Sequence, residues 1–380
     1  MTPRPSVLIV GGGAIGCALA RELAGRGAAV TVLERAEPGS EASGAAAGLI
    51  APQAEGLPRG PLFNLAAESR RLYPEWCAEL ERETGRAVGW SPAGVLRCDL
   101  DGHADFTPWL AGRQSGFPVE EVGRARIEQI ARGLTSPKAR RGLFFREDAS
   151  VDPRHLTRAL WESAEKRGVR FVLGANARRF LVRENRCRGV ETDGGSFQAD
   201  AVVDAAGAWA AFDAETAPVP VKPVRGQIVR LAAAAPFLPC VVQSAEVYVV
   251  PRGDGSLLLG STEEDVGFRK EVTAGAVGAL LDAACRLVPS LRRAQFMDAW
   301  SGLRPASSDA LPILGESGLP GLFFAAGHFR NGILLAPVTA RRVADAILGD
   351  AGETLAPFSP ARFIAGANAS GQPRKGGVFG

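Results

Sequence analysis

The sequence predicts an α/β protein built on a doubly wound, Rossmann-like nucleotide-binding domain. Three observations lead there. An all-apolar run, Val7 to Val10, passes directly into a glycine cluster, Gly11 to Gly16. A helical pattern and a second apolar run ending in Glu34 follow it. Far downstream, another buried run beginning at Ala201 stops at a second glycine turn, Gly207. At 380 residues, 46% hydrophobic and 22% charged, the chain can bury a large core and is long enough for two domains.

The opening run has the continuous apolarity of a strand buried on both faces of a parallel sheet. The helix pattern spans Ile15 to Ala24 and ends at Gly27 as a C-cap, and the second strand, Ala29 to Leu33, carries Glu34 at its C-terminal end. Together these make a βαβ dinucleotide fingerprint. Gly11 allows the tight turn, Gly13 lets a pyrophosphate approach the main chain, and Gly16 lets helix and strand pack closely. The pyrophosphate would lie on the helix N-terminus at Ala14 and Ile15, and Glu34, with Arg35 beside it, would meet the adenosine ribose. The fingerprint alone does not choose between NAD and FAD.

The small-residue run Glu41 to Gly48 could lay main-chain amides, at Ser43, Ala46, Ala47 and Gly48, against a bulky ligand; it also reads as a surface loop. In Val151 to Leu156, Asp152 is a helix N-cap and Pro153 the first helical residue, so His155 is structural. Tyr248, one of only two tyrosines, opens an apolar strand that turns through Pro251 to Gly255 into a partner, Leu257 to Gly260. Its phenol can point into a cleft or sit half-buried on a sheet edge. The Arg252-Gly253-Asp254 tripeptide is the hairpin turn. The residues after about Pro357 are Gly-rich and polar, and a flexible tail is expected over 357–380.

Composition excludes several classes. The net charge is +3 from 44 basic and 41 acidic residues, and no basic run or basic face with interleaved aromatics marks a nucleic-acid binder. Six scattered cysteines without a Cys-x-x-Cys suggest a reduced, cytoplasmic protein. Three histidines far apart offer little to a metal, and no metal site is expected. No secretory peptide is read at the N-terminus, and no apolar run is long enough to span a membrane.

These segments resemble the FAD-dependent amino acid oxidases of the D-amino acid oxidase superfamily. The resemblance runs from about Val7 to Leu348 and is densest in WSGLRPASSDALPILG (Trp300 to Gly315), in the stretch FFAAGHFRNGILLAP ending at Pro337, and in YVVPRGDGSLLLGSTEEDVGF (Tyr248 to Phe268). Within that superfamily it is most similar to the glycine oxidase branch that serves thiamine synthesis. It implies non-covalent FAD, since no cysteine lies between Gly302 and Pro337 to tether a flavin as in sarcosine-oxidase relatives. It also implies oxidation of glycine, sarcosine or small D-amino acids to the imine or 2-oxo acid, with ammonia and hydrogen peroxide. The expected partners are a small amino acid, molecular oxygen, a thiazole synthase and further copies of the chain in a homo-oligomer; neither nucleic acid nor a membrane is expected. A D-amino acid dehydrogenase or sarcosine-type oxidoreductase, a tRNA-modifying flavoprotein, and a non-catalytic flavin binder are the competing readings.

Amino acid oxidation needs a cation for the carboxylate. Arg304, between Gly302-Leu303 and Pro305, has the planar fork for it, although by residue type alone a salt bridge to a surface acid is the commoner role in a chain with 39 arginines. The resemblance assigns it the carboxylate, with Tyr248 and Arg330 beside it as catalytic candidates. A helix beginning near Ile333 would aim its positive end, with the amides of Arg330, Asn331 and Gly332, at the flavin; His328 and Gly207 join the cofactor set. The architecture implied is an FAD-binding domain in pieces, 1–85, 140–218 and 300–355, and a second α+β antiparallel-sheet substrate domain, 86–139 and 219–299.

Overall fold

The computed structural model describes residues 5–110, 117–232, 238–350, 352 and 354–363. The opening βαβ unit forms as expected: strand Ser6–Val10, helix Ala14–Gly25, strand Ala29–Glu34. Arg26 caps the helix, and Gly27 after it takes the left-handed φ of 89° that ends the turn. A six-stranded sheet grows from this unit, in the order Ile313–Glu316, Leu322–Ala326, Ala201–Asp204, Ser6–Val10, Ala29–Glu34, Arg170–Leu173. Every pairing is parallel except that of the first two strands.

Alternation along Ser6–Val10 decides what covers each face. Val7 and Ile9 pack with residues of four helices, Ala14–Gly25, Pro61–Thr84, Pro153–Lys166 and Gly332–Leu348. Leu8 and Val10 pack on the opposite face with Phe180, Cys187 and Val190 of a three-stranded antiparallel sheet, Ala177–Arg183, Arg186–Thr192 and Gly195–Gln198. The class is the α/β, Rossmann-like one expected. Helices cover one face, and where a doubly wound sheet would place helices on the other, a small sheet closes the core because its apolar residues already face inward from a strand period of two.

The second sheet has eight strands, in the order Gln295–Ser307, Val221–Ala232, Ser256–Gly260, Tyr248–Pro251, Val241–Gln243, Val95–Asp99, Arg141–Phe145, Glu120–Gly123. It is antiparallel except for the pairing of Val241–Gln243 with Val95–Asp99. Helices Arg124–Ala131 and Ala274–Leu287 cover one face through Ile127, Leu280 and Leu287. Sheet membership moves two expected boundaries: Arg141–Phe145 and most of Gln295–Ser307 were placed with the nucleotide-binding pieces, yet their backbones complete the eight-stranded ladder.

Residues 357–363 are ordered against the fold where a flexible tail was expected. Phe358 is buried in the helical core, and Arg362 pairs with Asp309 at 2.7 Å; residues 364–380 of that expectation lie outside the described residues. Among the described residues all six cysteines are free, no cluster suited to a metal is present, and no helix is long and apolar enough to cross a membrane.

Candidate active site

A cavity of about 600 Å³ is walled by both large sheets. One wall comes from the βαβ unit. Gly11 sits at φ 103°, and a Cβ there would stand 2.5 Å from the carbonyl oxygen of Ala205, so only glycine allows the paired strands Ser6–Val10 and Ala201–Asp204 to end so close together. At Gly16 a Cβ would collide with the carbonyl of Gly11; this glycine packs helix on strand and does not line the cavity. Glu34 accepts from the Gly12 amide at 2.7 Å and the Ala36 amide at 2.9 Å, which aims its carboxylate along the cavity wall and still leaves lone pairs to accept more. Ser43 accepts from the Ala14 amide at 3.0 Å, pinning the small-residue segment to the helix start. Arg35 lies 3.6 Å over the Trp209 ring and pairs with Glu41 at 2.7 Å.

Gly13, Ala14 and Ile15 line the cavity, as do Ser43, Ala46, Ala47 and Gly48. In place of a plain loop, Ala42–Ala45 is one helical turn, and the Trp300 indole donates to the carbonyl of Ala45 at 3.1 Å. Gly207 lines the wall where the strand Ala201–Asp204 ends.

The opposite wall carries the polar side chains. Tyr248 and Gly260 face each other across the hairpin, and glycine leaves the space the phenol fills. Arg304 occupies an analogous gap over Gly226 on the neighbouring strand. Its guanidinium donates to the Thr262 carbonyl at 3.0 Å and to Ser261 Oγ at 2.6 Å, and Ser261 also bonds Tyr248. Burial pushes the Tyr248 hydroxyl pKa up, partly countered by Arg304. The two groups are therefore aligned by main chain and by one serine. Arg304 forms no ion pair among the described residues; its guanidinium, largely removed from water, lines the cavity, and Glu55 and Glu263 act on it only from beyond ion-pair distance.

The Phe329–Asn331 turn leads into helix Gly332–Leu348, and Gly332 and Ile333 line the cavity at its start. Asn331 is buried in the fold and is not in the cavity wall. His328 reaches the wall, but its Nε2 is 3.1 Å from Thr339 Oγ1 and burial lowers its pKa to about 3, so the ring is neutral and already engaged. Arg330 stands at the rim, 43% exposed, 3.8 Å from both Glu55 and Glu263.

Sequence reasoning missed Glu55, Ser261 and Arg97, all of which line the cavity. Ser261 follows the quoted hairpin directly and could have been taken with it. Glu55 and Arg97 carry no local signal, since turns and strands distant in sequence bring them in.

The description "FAD dependent oxidoreductase" belongs to a family model that matches residues 6–346. The bifunctional protein ThiO/ThiG of Trichormus variabilis is 40% identical over 346 residues, 90% of this chain and 52% of that protein. The glycine oxidase of Geobacillus kaustophilus is 38% identical over 378 residues, 96% of this chain and 98% of that one. A crystal structure of glycine oxidase from the same organism superposes with a TM-score of 0.89, covering 95% of this chain and 99% of the other at 35% identity. The chain thus spans about half the length of the bifunctional relative and nearly all of the other two.

Proposed function

The chain belongs to the FAD dependent oxidoreductase family, and we propose that it oxidises glycine and similar small amino acids to the imine, which hydrolyses to 2-oxo acid and ammonia. The observation that carries the reading is the desolvated guanidinium of Arg304, in no ion pair among the described residues, opposite a dinucleotide-type wall in one cavity. Such a cation is costly unless a ligand anion completes it.

The residues fit FAD. The Gly11 approach that excludes a Cβ, the Glu34 carboxylate on the wall and the uncapped start of Gly332–Leu348 match a ligand with a ribose, a diphosphate and an acceptor ring. Gly11, Gly13, Ala14, Ile15, Glu34, Ser43 and Gly207 would hold the nucleotide part; Gly332, Ile333 and the main chain of His328 and Arg330 would meet the ring. When bound, FAD supplies the two-electron acceptor that amino acid oxidation requires.

The chain's own groups bind and orient. Arg304 would take the substrate carboxylate bidentately, and the Tyr248 hydroxyl would donate to the same carboxylate. Arg330, at the rim beside two carboxylates, would close the pocket over the substrate. The apolar walls, Ile228 and Val247 among them, keep water from the charged pair and so strengthen it. Oxygen is the expected terminal acceptor. A thiazole synthase is the expected recipient of the imine, a reading supported by the bifunctional relative, of which this chain matches about half.

Oxygen uptake by the yellow protein with glycine, sarcosine, D-alanine and D-proline tests the proposal. Uptake with glycine and hydrogen peroxide formation are expected; no uptake with any of the four, with flavin bound, overturns it.

A further inference from the structure

One group in the cavity has no place in carboxylate binding. Glu55 ends the turn that begins at Ala51, and its Oε2 is buried with no hydrogen-bond partner. A carboxylate oxygen in that condition is expensive unless a donor arrives with the ligand.

Its backbone is held from three directions. The Glu55 amide donates to the Ala51 carbonyl at 3.0 Å. The preceding Ala54 amide donates to the buried Asp148 at 2.7 Å, and the Ala54 carbonyl accepts from Gln243 at 2.9 Å. Asp148 in turn accepts from Arg70 at 2.8 Å. The side chain is thereby presented to the cavity from a rigid turn.

Several charged and titratable groups face it. Arg330 Nη2 is 3.8 Å away from the helix-start side, and Glu263 lies beyond that guanidinium. Arg304 and Tyr248 act on it from the eight-stranded sheet, and Arg97 lines the same cavity. Burial raises its pKa while the two arginines oppose the rise.

An α-amino acid carries a carboxylate and an ammonium on neighbouring atoms, and a cavity with one desolvated guanidinium in no ion pair and one carboxylate oxygen that is buried and accepts no hydrogen bond matches both ends. Resting on the amino acid oxidase reading, we propose that Glu55 Oε2 receives the substrate's amino group and takes the proton that the ammonium must lose before oxidation. In that step an N–H bond breaks and an O–H bond forms, while the electron pair stays on nitrogen, where it is needed to form the C=N bond. The net charge of the cavity does not change, and two opposite charges become two neutral groups, which a water-poor site favours.

The test compares the flavin-loaded parent with Glu55→Gln and Glu55→Asp. Anaerobic flavin reduction by glycine would be followed from pH 6 to 10, and acetate binding by the flavin absorbance change. In Glu55→Gln the apparent Kd for glycine at pH 7 should rise about 10-fold to 100-fold, the loss of one charge-assisted hydrogen bond. Its reduction rate should recover as the pH approaches the amine's own pKa, where solution supplies the neutral amine. Acetate, which has no amine, should bind as tightly as to the parent or more tightly. Glu55→Asp should restore part of the neutral-pH rate. A Glu55→Gln protein with the parent's glycine Kd and pH profile overturns the proposal, and so does an equal loss of acetate binding, which would make the residue structural. A parent flavin that no small amino acid reduces overturns the functional reading, and this inference with it.

Discussion

Arg304 and Tyr248 show how two side chains acquire a task from their surroundings. Each fills a gap left by a glycine on a neighbouring strand, and each is tied to Ser261. If Arg304 pairs with the substrate carboxylate, Arg304→Ala leaves that carboxylate buried without its partner. A loss of about 3 to 5 kcal/mol follows, or about 100-fold to 1,000-fold or more in kcat/KM. Arg304→Lys should recover only part, because an ammonium cannot reproduce the fork that now spans Thr262 and Ser261. Steady-state oxygen uptake with glycine, together with the flavin spectrum, checks this. Near-normal kcat/KM would show the arginine to be structural, and lost flavin would move it to the cofactor wall.

At the scale of elements, helix Gly332–Leu348 contains Pro337, whose missing N–H cannot serve the carbonyl of Ile333 one turn earlier. The buried Tyr73 hydroxyl of helix Pro61–Thr84 donates to that carbonyl, and Ser69 Oγ donates to the next one, Leu334, at 2.6 Å. A second helix therefore supplies the hydrogen bond the proline removes and adds one at the next carbonyl, just where Ile333 meets the cavity. Tyr73→Phe should destabilise the protein by about 1 to 3 kcal/mol by leaving a buried acceptor unpaired, read as a lower urea midpoint; an unchanged midpoint would mean that the carbonyl finds another donor. His328, bonded to Thr339 in the same helix, gives this element a pH signature. Its pKa falls from 6.5 in the unfolded chain to about 3 in the fold, so between these values the unfolded state binds the extra proton and acid destabilises. From pH 7 to pH 5 the parent should lose about 1 to 2 kcal/mol that His328→Gln keeps. Equal losses in both proteins would show that the imidazole titrates normally.

For the whole molecule, the cavity joins two sheets whose strands alternate along the chain, so the site exists only when both are assembled. None of the residues lining it is a cysteine, and its histidine ring is engaged by Thr339. Flavin held there is held by packing and hydrogen bonds. Acid precipitation should therefore release all the yellow colour into the supernatant, measured by absorbance, and colour retained in the pellet would reveal a covalent link. Binding should also couple to stability: a ligand that binds only the folded state raises the midpoint of thermal unfolding in proportion to the logarithm of its concentration.

The sequence alone determined the βαβ unit, because its signals are local: an apolar run, glycines at fixed spacing and an acid one strand later all act within thirty residues. The Asp152 cap, the hairpin at Arg252 and the start of the last helix were legible for the same reason. Tertiary structure decided what local patterns do not encode. Strand periodicity says that one face of Ser6–Val10 is apolar, but not whether a helix or a small sheet will cover it. The strand Arg141–Phe145 joins the eight-stranded sheet because its hydrogen-bonding partners lie at Val95–Asp99, a pairing that spacing does not announce. Glu55 is one acid among many in the sequence. Its Oε2 becomes a buried atom that accepts no hydrogen bond only because Asp148 and Gln243, some 94 and 189 residues from Ala54, hold its turn against the cavity. Chemistry that depends on desolvation is created by burial, and burial is a property of the assembled sheets.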